Sequence, residues 1–289
     1  MVDGAQRQVR RREIEPRDLA DVADLLRRGF PARSRAYWER GLRRMGERPA
    51  VASCPRYGFL LQAGGRPVGV ALMLFSAVPQ AGGTAVRCNL SSWFVEPEYR
   101  MQAPLLVSSL LKRPDITFTN ISPAPHTWAT IEAQGFRTYA EGQVLVVPAL
   151  GRGGTPARVS ADPEGWRGLP EATLLDDHRG YGCTCLAVEA EDGTHPFVFL
   201  PFRARSGRLP LPFMQLVYTR DVADFARLAR PIGLWLLPRG YPGVVMDGEG
   251  TPGGPPVLRR SRRGRRYAKG PDTPRPGDLA YTERVTFGA

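Results

Sequence analysis

The chain has 289 residues, of which 42% are hydrophobic and 24% charged. This balance is typical of globular proteins and excludes wholesale disorder. Basic residues outnumber acidic ones by 40 to 28, and the formal net charge is +12. Such a charge favours anionic partners, namely nucleic acid, a lipid surface or cofactor phosphates. Only two of the basic residues are lysine, and this bias is equally typical of an arginine-rich enzyme.

Neither a membrane segment nor a metal site is expected. The apolar runs fall far short of the roughly 18 residues that a spanning helix needs. The N-terminus has no apolar stretch of the secretory type, so we expect a cytoplasmic protein. The four cysteines are too few for a disulfide framework, and Cys183 and Cys185 lack the spacing of metal ligands. They are interpreted as small strand residues.

The first half of the chain predicts two helices, then strands, then a mixture of both. Leu19, Val22 and Leu25 recur at helical spacing, and Gly64-Gly65 is typical of a hairpin turn. The predicted elements are a loose polar arm (1–12), helices (13–29, 35–44), strands (57–63, 67–76, 84–95), a helix (104–112), a strand (116–121), a helix (126–134) and a strand (143–147).

The second half repeats part of this order. Residues 151–165 are rich in Gly, Pro, Ser and Ala and predict a linker. The elements predicted after it are strands (183–190, 196–203, 213–218), a helix (222–229), strands (234–237, 243–247) and an irregular segment (249–275). The sequence therefore predicts two α/β domains, at 13–150 and 166–289, whose likeness lies in element order alone.

Two short motifs carry the chemistry. Val95, Pro97 and Arg100 follow a long predicted strand, and Glu132, Gly135 and Phe136 end a later helix. At these residues the chain resembles the GNAT superfamily of acyl-CoA-dependent N-acyltransferases, whose first motif is Val-x-Pro-x-x-Arg/Gln-x-x-Gly-x-Gly/Ala. The resemblance covers roughly residues 13–150. It implies a mixed sheet flanked by helices, with the second domain as a degenerate copy in tandem.

The physics of the first motif agrees with that family. A strand that ends at a proline and leads into a helix leaves backbone N–H groups unpaired, and these form an anion site. Arg100 can add a forked hydrogen bond to a diphosphate. The resemblance implies a coenzyme A thioester, acetyl or longer, held by Phe94, Val95, Arg100, Met101, Gln102, Ala103 and Leu105. It also implies a bulge that directs a backbone donor, expected near 93–95, at the thioester carbonyl.

Three positions depart from the family pattern. Ala103 and Leu105 stand where the family has small residues that let phosphate approach, and Ile131 replaces its tyrosine acid. The acid or base must therefore come from elsewhere. The predicted catalytic residues are His126, Tyr139 and Glu96, and the predicted acceptor-binding residues are Asn89, Ser91, Asn120 and Ser122.

Three functions remain open. The first is transfer of an acyl group from acyl-CoA to a small-molecule amine by direct attack. The second is a non-catalytic protein of this fold that binds partners through a basic surface. The third, nucleic-acid binding, rests on charge alone, chiefly the run from Arg259 to Arg266, and is disfavoured because aromatic residues do not interleave that run. The run also suits an anionic membrane surface.

Overall fold

The computed structural model describes residues 8–80, 83–152, 155–206, 209–250, 253–262 and 264–288. Parts of the predicted arm (1–7), of the predicted linker (153–154), of the segment predicted as irregular (251–252) and of the arginine run (263) lie outside the described residues. The chain forms two compact units, residues 1–121 with 268–273 and residues 122–267 with 274–289.

The regular elements of the described residues are as follows. The α-helices are α1 (Leu19–Gly29), α2 (Arg35–Glu47), α3 (Trp128–Ala133), α4 (Ala172–Gly180), α5 (Val222–Leu236) and α6 (Glu283–Thr286). The strands are β1 (Val9–Glu13), β2 (Gly58–Ala63), β3 (Arg66–Gln80), β4 (Gly83–Val95), β5 (Ile116–Asn120), β6 (Arg137–Ala140), β7 (Gln143–Val146), β8 (Arg158–Ser160), β9 (Thr184–Ala190), β10 (Gly193–Ser206), β11 (Leu209–Thr219), β12 (Val244–Asp247), β13 (Val257–Ser261) and β14 (Arg266–Lys269).

The first unit is built on a mixed sheet, in which the strands follow the order β1-β2-β3-β4-β5. The first four strands are antiparallel, whereas β5 runs parallel to β4. Helices α1 and α2 bury one face each, as their apolar spacing predicted, with Leu25, Leu42 and Met45 almost inaccessible. The predicted loose arm is wrong at its end, because β1 pairs with β2 along its whole length.

The second unit contains a sheet of order β13-β7-β12-β11-β10-β9-β8. Its core lies between this sheet and α5, where Phe197, Phe199 and Phe225 are fully buried. Strands β11 and β12 are parallel, and α5 is the connection between them. The predicted strand 234–237 is wrong, because most of these residues continue α5, whose apolar face includes Ile232 and the buried Leu236.

The structure also corrects the prediction for the low-complexity segments. The segment predicted as irregular, 249–275, contains β13 and β14, and the segment predicted as a linker contains β8. Strand β7, predicted as the last strand of the first domain, pairs with β12 and β13 in the second sheet. Helix α4 was not predicted. Long-range pairing decides these elements, and local composition does not report it.

None of the helices in the described ranges combines the length and apolar character that crossing a membrane requires.

Candidate functional site

The site begins where two parallel strands of the first unit separate. Strands β4 and β5 pair from Val86 opposite Ile116 to Asn89 opposite Thr119, and their described ladder has no pair beyond this point. Strand β4 then continues to Val95, whereas β5 ends one residue later, at Asn120. The edge of β4 that faced β5 is therefore left without that strand as a partner over residues 90–95. Such an edge can hydrogen-bond an extended ligand.

A bulge lies within this unpaired part of β4. Against β3, Ala71 faces Trp93 and Met73 faces Leu90, so β4 has one extra residue at Ser91 and Ser92. The extra residue of a bulge leaves the ladder and redirects its backbone groups. The bulge is present, as the resemblance implied, but it lies before the segment 93–95 in which the donor was expected.

Asn89 fixes the point of separation. Its side chain is buried, and its Nδ2 lies 3.3 Å from the carbonyl oxygen of Thr119 and 3.4 Å from the hydroxyl of Thr119. Asn89 thus joins the two strands at their last pair. Ser91 and Asn120, also predicted to bind the acceptor, lie next to this link and are half-buried.

Glu96 follows β4 and is held by two arginines. Its N–H donates to the carbonyl of Val68 at 2.9 Å. Its carboxylate lies 3.1 Å from Arg28 and 2.7 Å from Arg66, and the side chain is only 13% exposed. These ion pairs anchor the end of β4 to α1 and to β3. They give Glu96 a structural role, and its predicted catalytic role remains a prediction.

The segment after Glu96 differs from the prediction. Residues Pro97–Leu106 form a 3-10 helix, and Leu110–Lys112 form another, so the predicted helix 104–112 is absent. Pro104 lies inside the first of these 3-10 helices and disfavours an α-helix over 97–106, because it lacks an N–H and its ring clashes with an α-helical carbonyl four residues earlier. The 3-10 bonds begin with Tyr99 N–H donating to Glu96 O at 2.9 Å. They use N–H groups that the sequence had assigned to a diphosphate.

Arg100 is the predicted cofactor residue at this end of the sheet whose side chain carries a positive charge. Arg100 is exposed, and within the described part of the chain its guanidinium has no ion-pair partner. Met101 next to it is 88% exposed. A free guanidinium beside an exposed apolar side chain suits a ligand with both a phosphate and an apolar part.

The other predicted cofactor residues lie either in the 3-10 helix (Gln102, Ala103 and Leu105) or at the end of β4 (Phe94 and Val95). The side-chain carbonyl oxygen of Gln102 is buried and accepts no hydrogen bond, so it can accept one from a ligand amide or amino group. Ala103 is half-buried and Leu105 is exposed. Phe94 packs against α1: a Cβ on Gly29 would lie 2.3 Å from its ring. The side chain of Phe94 therefore packs against α1, and the side chain of Val95 is buried.

The second unit repeats this arrangement, and its own chain fills the gap. Strands β11 and β12 pair as far as Gln215, and β11 has an extra residue, Val217, opposite β10. The C-terminal segment lies along the end of β11. Leu279 N–H donates to Val217 O at 2.7 Å, and Thr219 N–H donates to Gly277 O at 3.0 Å. Arg284 Nε also donates to the side-chain oxygen of Gln215 at 2.8 Å.

Acidic groups occupy the helix that follows β11. Asp221 caps α5 by accepting from Ala223 N–H at 2.8 Å. Arg220, which directly follows β11, is committed to a two-pronged ion pair with Glu171, both bonds 2.7 Å long. Capping carboxylates satisfy the helix N-terminus and repel phosphate. This end of the second unit therefore lacks both the open strand edge and the free arginine of the first.

The remaining predicted site residues belong to the second unit. His126 is exposed in a 3-10 turn (Pro125–Thr127), and Tyr139 is half-buried in β6. Ser122 donates its hydroxyl hydrogen to Glu283. The roles of these three residues remain predictions.

The Glu-x-x-Gly-Phe motif has a visible structural purpose. Glu132 accepts from the Tyr267 hydroxyl at 2.8 Å, Gly135 adopts a left-handed conformation after α3, and Phe136 is buried. The motif therefore ends α3 and returns the chain to the sheet.

Cys185 lies in strand β9 as predicted, whereas Cys183 precedes that strand and is not a strand residue. All four cysteines are free, and burial raises the pKa of Cys54, Cys88 and Cys185. His178 is fully buried, with Nδ1 2.7 Å from Leu174 O and Nε2 accepting from the N–H of Tyr281.

One acidic cluster has the composition of a metal site. His195 lies 3.1 Å from both Asp192 and Asp224. Arg227 already donates to both carboxylates, at 2.8 and 3.2 Å. A guanidinium in this position satisfies the negative charge that a metal would need, so the cluster is interpreted as an ion-pair network.

The sequence did not predict the contacts that create the difference between the two units. The link from Asn89 to Thr119, the arginine pair on Glu96 and the C-terminal segment on β11 all join residues distant in sequence. The alternation of Thr117 and Thr119 in a buried strand was the one available signal, because a polar face in a central strand needs partners.

Comparison with known proteins gives the fold. No family model and no curated protein matches the sequence. Among solved structures, a candidate acetyltransferase from Pyrococcus horikoshii has a TM-score of 0.55 and 13% identity, over 95% of this chain and 93% of that one. A GCN5-related N-acetyltransferase from Anabaena variabilis has a TM-score of 0.55 and 11% identity, over 90% and 72% of the two chains. A candidate N-acyltransferase from Enterococcus faecalis has a TM-score of 0.58 and 10% identity, with the same coverage. The chain has the fold of the GNAT acetyltransferases.

Proposed function

We propose that this protein is an acyl-CoA-dependent N-acyltransferase whose thioester site lies at the open end of β4 in the first unit. One observation carries the proposal. Strand β4 is bulged at Ser91 and Ser92, parts from β5 after Asn89, and keeps that edge free of β5 as far as Val95. The fold supports the proposal, because the comparable solved structures are acetyltransferases or candidates for that activity.

Residues of the first unit fit the parts of an acyl-CoA. The edge of β4 offers backbone groups to the amides of the pantetheine chain. The guanidinium of Arg100 offers paired donors to the diphosphate. The unpaired side-chain oxygen of Gln102 suits an N–H donor of the ligand. The substitutions at Ala103 and Leu105, together with the 3-10 bonds, leave most of the phosphate binding to Arg100.

The reaction needs only positioning and charge stabilisation from this site. The neutral amine attacks the thioester carbonyl, the new C–N bond forms, the C–S bond breaks, and the thiol leaves with a proton released by the amine. A backbone N–H displaced from the ladder at the bulge would stabilise the negative charge on the carbonyl oxygen. Holding the two reactants together supplies the rest.

Titration calorimetry and an acyl-transfer assay test the proposal together. Acetyl-CoA is titrated into the whole chain, into Arg100→Ala and into Arg27→Ala, which removes an exposed arginine from α1 of the same unit. We expect binding to the wild type and to Arg27→Ala, and a loss of about tenfold or more in Arg100→Ala, the value of a charge-assisted hydrogen bond. Release of free thiol in the presence of mixed amines reports turnover.

The outcomes separate the functions that the sequence left open. Binding with amine-dependent thiol release supports the enzyme. Binding without release from any amine makes the protein a non-catalytic acyl-CoA binder. Absence of binding at millimolar acetyl-CoA, or equal affinity in Arg100→Ala and wild type, overturns the assignment of the site.

A further inference from the structure

The arginine run, which the proposed function does not use, borders a cleft in the second unit. The cleft has a volume of about 490 Å³, which lies in the range of small-molecule sites. Its walls come from the turn before β7, the end of β12, strand β13 and helix α3. The charged and aromatic residues that line it are Arg260, Arg262, Arg265, Glu141, Glu249 and Trp128.

Two of the arginines are held in place by the protein. The guanidinium of Arg265 stacks on Trp128, with Cζ 4.4 Å from the ring centre, and its Nε lies 3.2 Å from Glu141. Arg260 donates through Nη1 to the backbone carbonyl of Glu249. A guanidinium has five N–H donors, so a single bond of this kind fixes its position and leaves other donors for a ligand. Such preorganisation lowers the entropy cost of binding.

A buried network supports the cleft from behind. Arg266 and Asp247 form an ion pair that is almost inaccessible, with bonds of 3.0 and 3.1 Å. Gln143, which lines the cleft, donates to Asp247 at 2.9 Å. A paired and hydrogen-bonded network of this kind rigidifies its surroundings. The ends of β7, β12 and β14 are thereby joined next to the cleft.

We propose that this cleft binds a small phosphorylated molecule, with Arg260 and Arg262 as the phosphate-binding residues. Guanidinium groups pair with phosphate oxygens in a forked geometry. The exposed Arg262 has no ion-pair partner in the described part of the chain and lines the same cleft. A phosphate between these two arginines would accept hydrogen bonds from their remaining guanidinium N–H groups.

Two glutamates in the cleft favour a small ligand over a long polyanion. Glu141 and Glu249 lie on the walls of the cleft among the arginines. A long polyanion that crossed the cleft would pass these carboxylates and be repelled by them. A small molecule can place its phosphate on the arginines and its hydroxyl or amino groups on Glu249. The arrangement therefore favours a compact ligand over a nucleic acid.

Inorganic pyrophosphate is the probe for the test. It is titrated by calorimetry into the full chain carrying Arg100→Ala, so that the site proposed for acyl-CoA does not contribute. The test variant adds Arg260→Ser and Arg262→Ser to this background. The control variant adds Arg27→Ser and Arg137→Ser, two exposed arginines elsewhere, and so makes the same change in net charge. Quenching of Trp128 fluorescence, identified by its loss in Trp128→Phe, is a second readout.

We expect pyrophosphate to bind the Arg100→Ala chain and the control variant alike. In the test variant the affinity falls at least about tenfold, and the Trp128 signal disappears. Equal binding to the test and control variants, or no binding to the Arg100→Ala chain at millimolar pyrophosphate, overturns the proposal. Tight binding of a 12-residue oligonucleotide that pyrophosphate does not displace overturns the preference for a small ligand. None of these results depends on acyl-CoA binding, so the two proposals fail separately.

Discussion

Both units of this protein contain a bulged strand that separates from its parallel neighbour, but the surroundings of the end of that strand differ between the two units. In each, the first strand of the parallel pair is bulged, and a buried amide side chain lies at the last residue pair, Asn89 in β4 and Gln215 in β11. In the first unit Asn89 joins β4 to β5. In the second, Arg284 and the segment Gly277–Leu279 cover the end of β11.

The difference shows that a strand edge becomes a site only where the chain leaves it open. A bulge and a divergence expose backbone donors and acceptors, and these must find a partner. The second unit supplies this partner from its own C-terminus, which also contributes to the core, since Val285 and Phe287 are buried. For the first unit we propose that a ligand supplies this partner. The account therefore predicts one acyl-CoA site for each chain.

The strongest test of the closed end is Leu279→Ala. Leu279 is 1% exposed, and removing its side chain leaves a cavity, which should lower the free energy of unfolding by about 3 kcal/mol. Leu105→Ala is the matched control, because Leu105 is 46% exposed and its loss should cost under about 0.5 kcal/mol. Urea unfolding measures both. Equal effects would mean that the segment on β11 is not packed as described.

The link at the open end is tested by Asn89→Ala. The substitution leaves the buried backbone of Thr119 without its donor, and we expect it to cost about 1–2 kcal/mol of stability. Because Asn89 sets where β4 and β5 separate, we also expect weaker acetyl-CoA binding. Urea unfolding and calorimetry on the same sample separate the two effects. An unchanged acetyl-CoA affinity in a folded but destabilised variant would show that the separation point does not shape the site.

A smaller effect concerns pH at the closed end. Burial tends to raise the pKa of Glu171, but the hydrogen bonds and charge of Arg220 outweigh it and hold that pKa below its usual value. A carboxylate with a lowered pKa contributes stability above its unfolded-state pKa, about 4.3, and loses this contribution as the pH falls through the folded-state pKa. The stability gap between wild type and Glu171→Gln should therefore be largest near pH 7 and narrow below about pH 4. Urea midpoints across pH measure this gap, and a gap independent of pH would contradict the ion pair.

Local signals predicted much of the fold of the first unit. Apolar periodicity placed α1 and α2, and the Gly64-Gly65 turn placed the hairpin of β2 and β3. The same signals failed where partners distant in sequence decide the structure. Leu234 and Leu236 lie in a segment that was predicted as a strand, although they belong to helix α5, which continues beyond Pro231. Strands β13 and β14 lie in a segment rich in Gly, Pro and Arg, where only pairing with other strands reveals them.

The end of β4 was predicted from the sequence, but the conformation of the segment that follows it was not. The first motif located the end of β4 and Arg100, because a strand that stops at a proline is a local signal. It also predicted a row of free N–H groups, whereas Pro104 favours a 3-10 helix that uses them. The closure of the second unit depends on contacts more than 50 residues apart along the chain, such as that of Arg284 with Gln215. Periodicity and composition carry no information about contacts of this kind.

Hydrogen exchange with and without saturating acetyl-CoA tests the central claim most directly. The account predicts slower exchange on ligand addition for amides of residues 90–100 at the open end of β4. It predicts no change for residues 216–221, because the C-terminal segment already bonds Val217 O and Thr219 N–H there. Protection that appears at residues 216–221, or at neither segment although acetyl-CoA binds, would contradict the account.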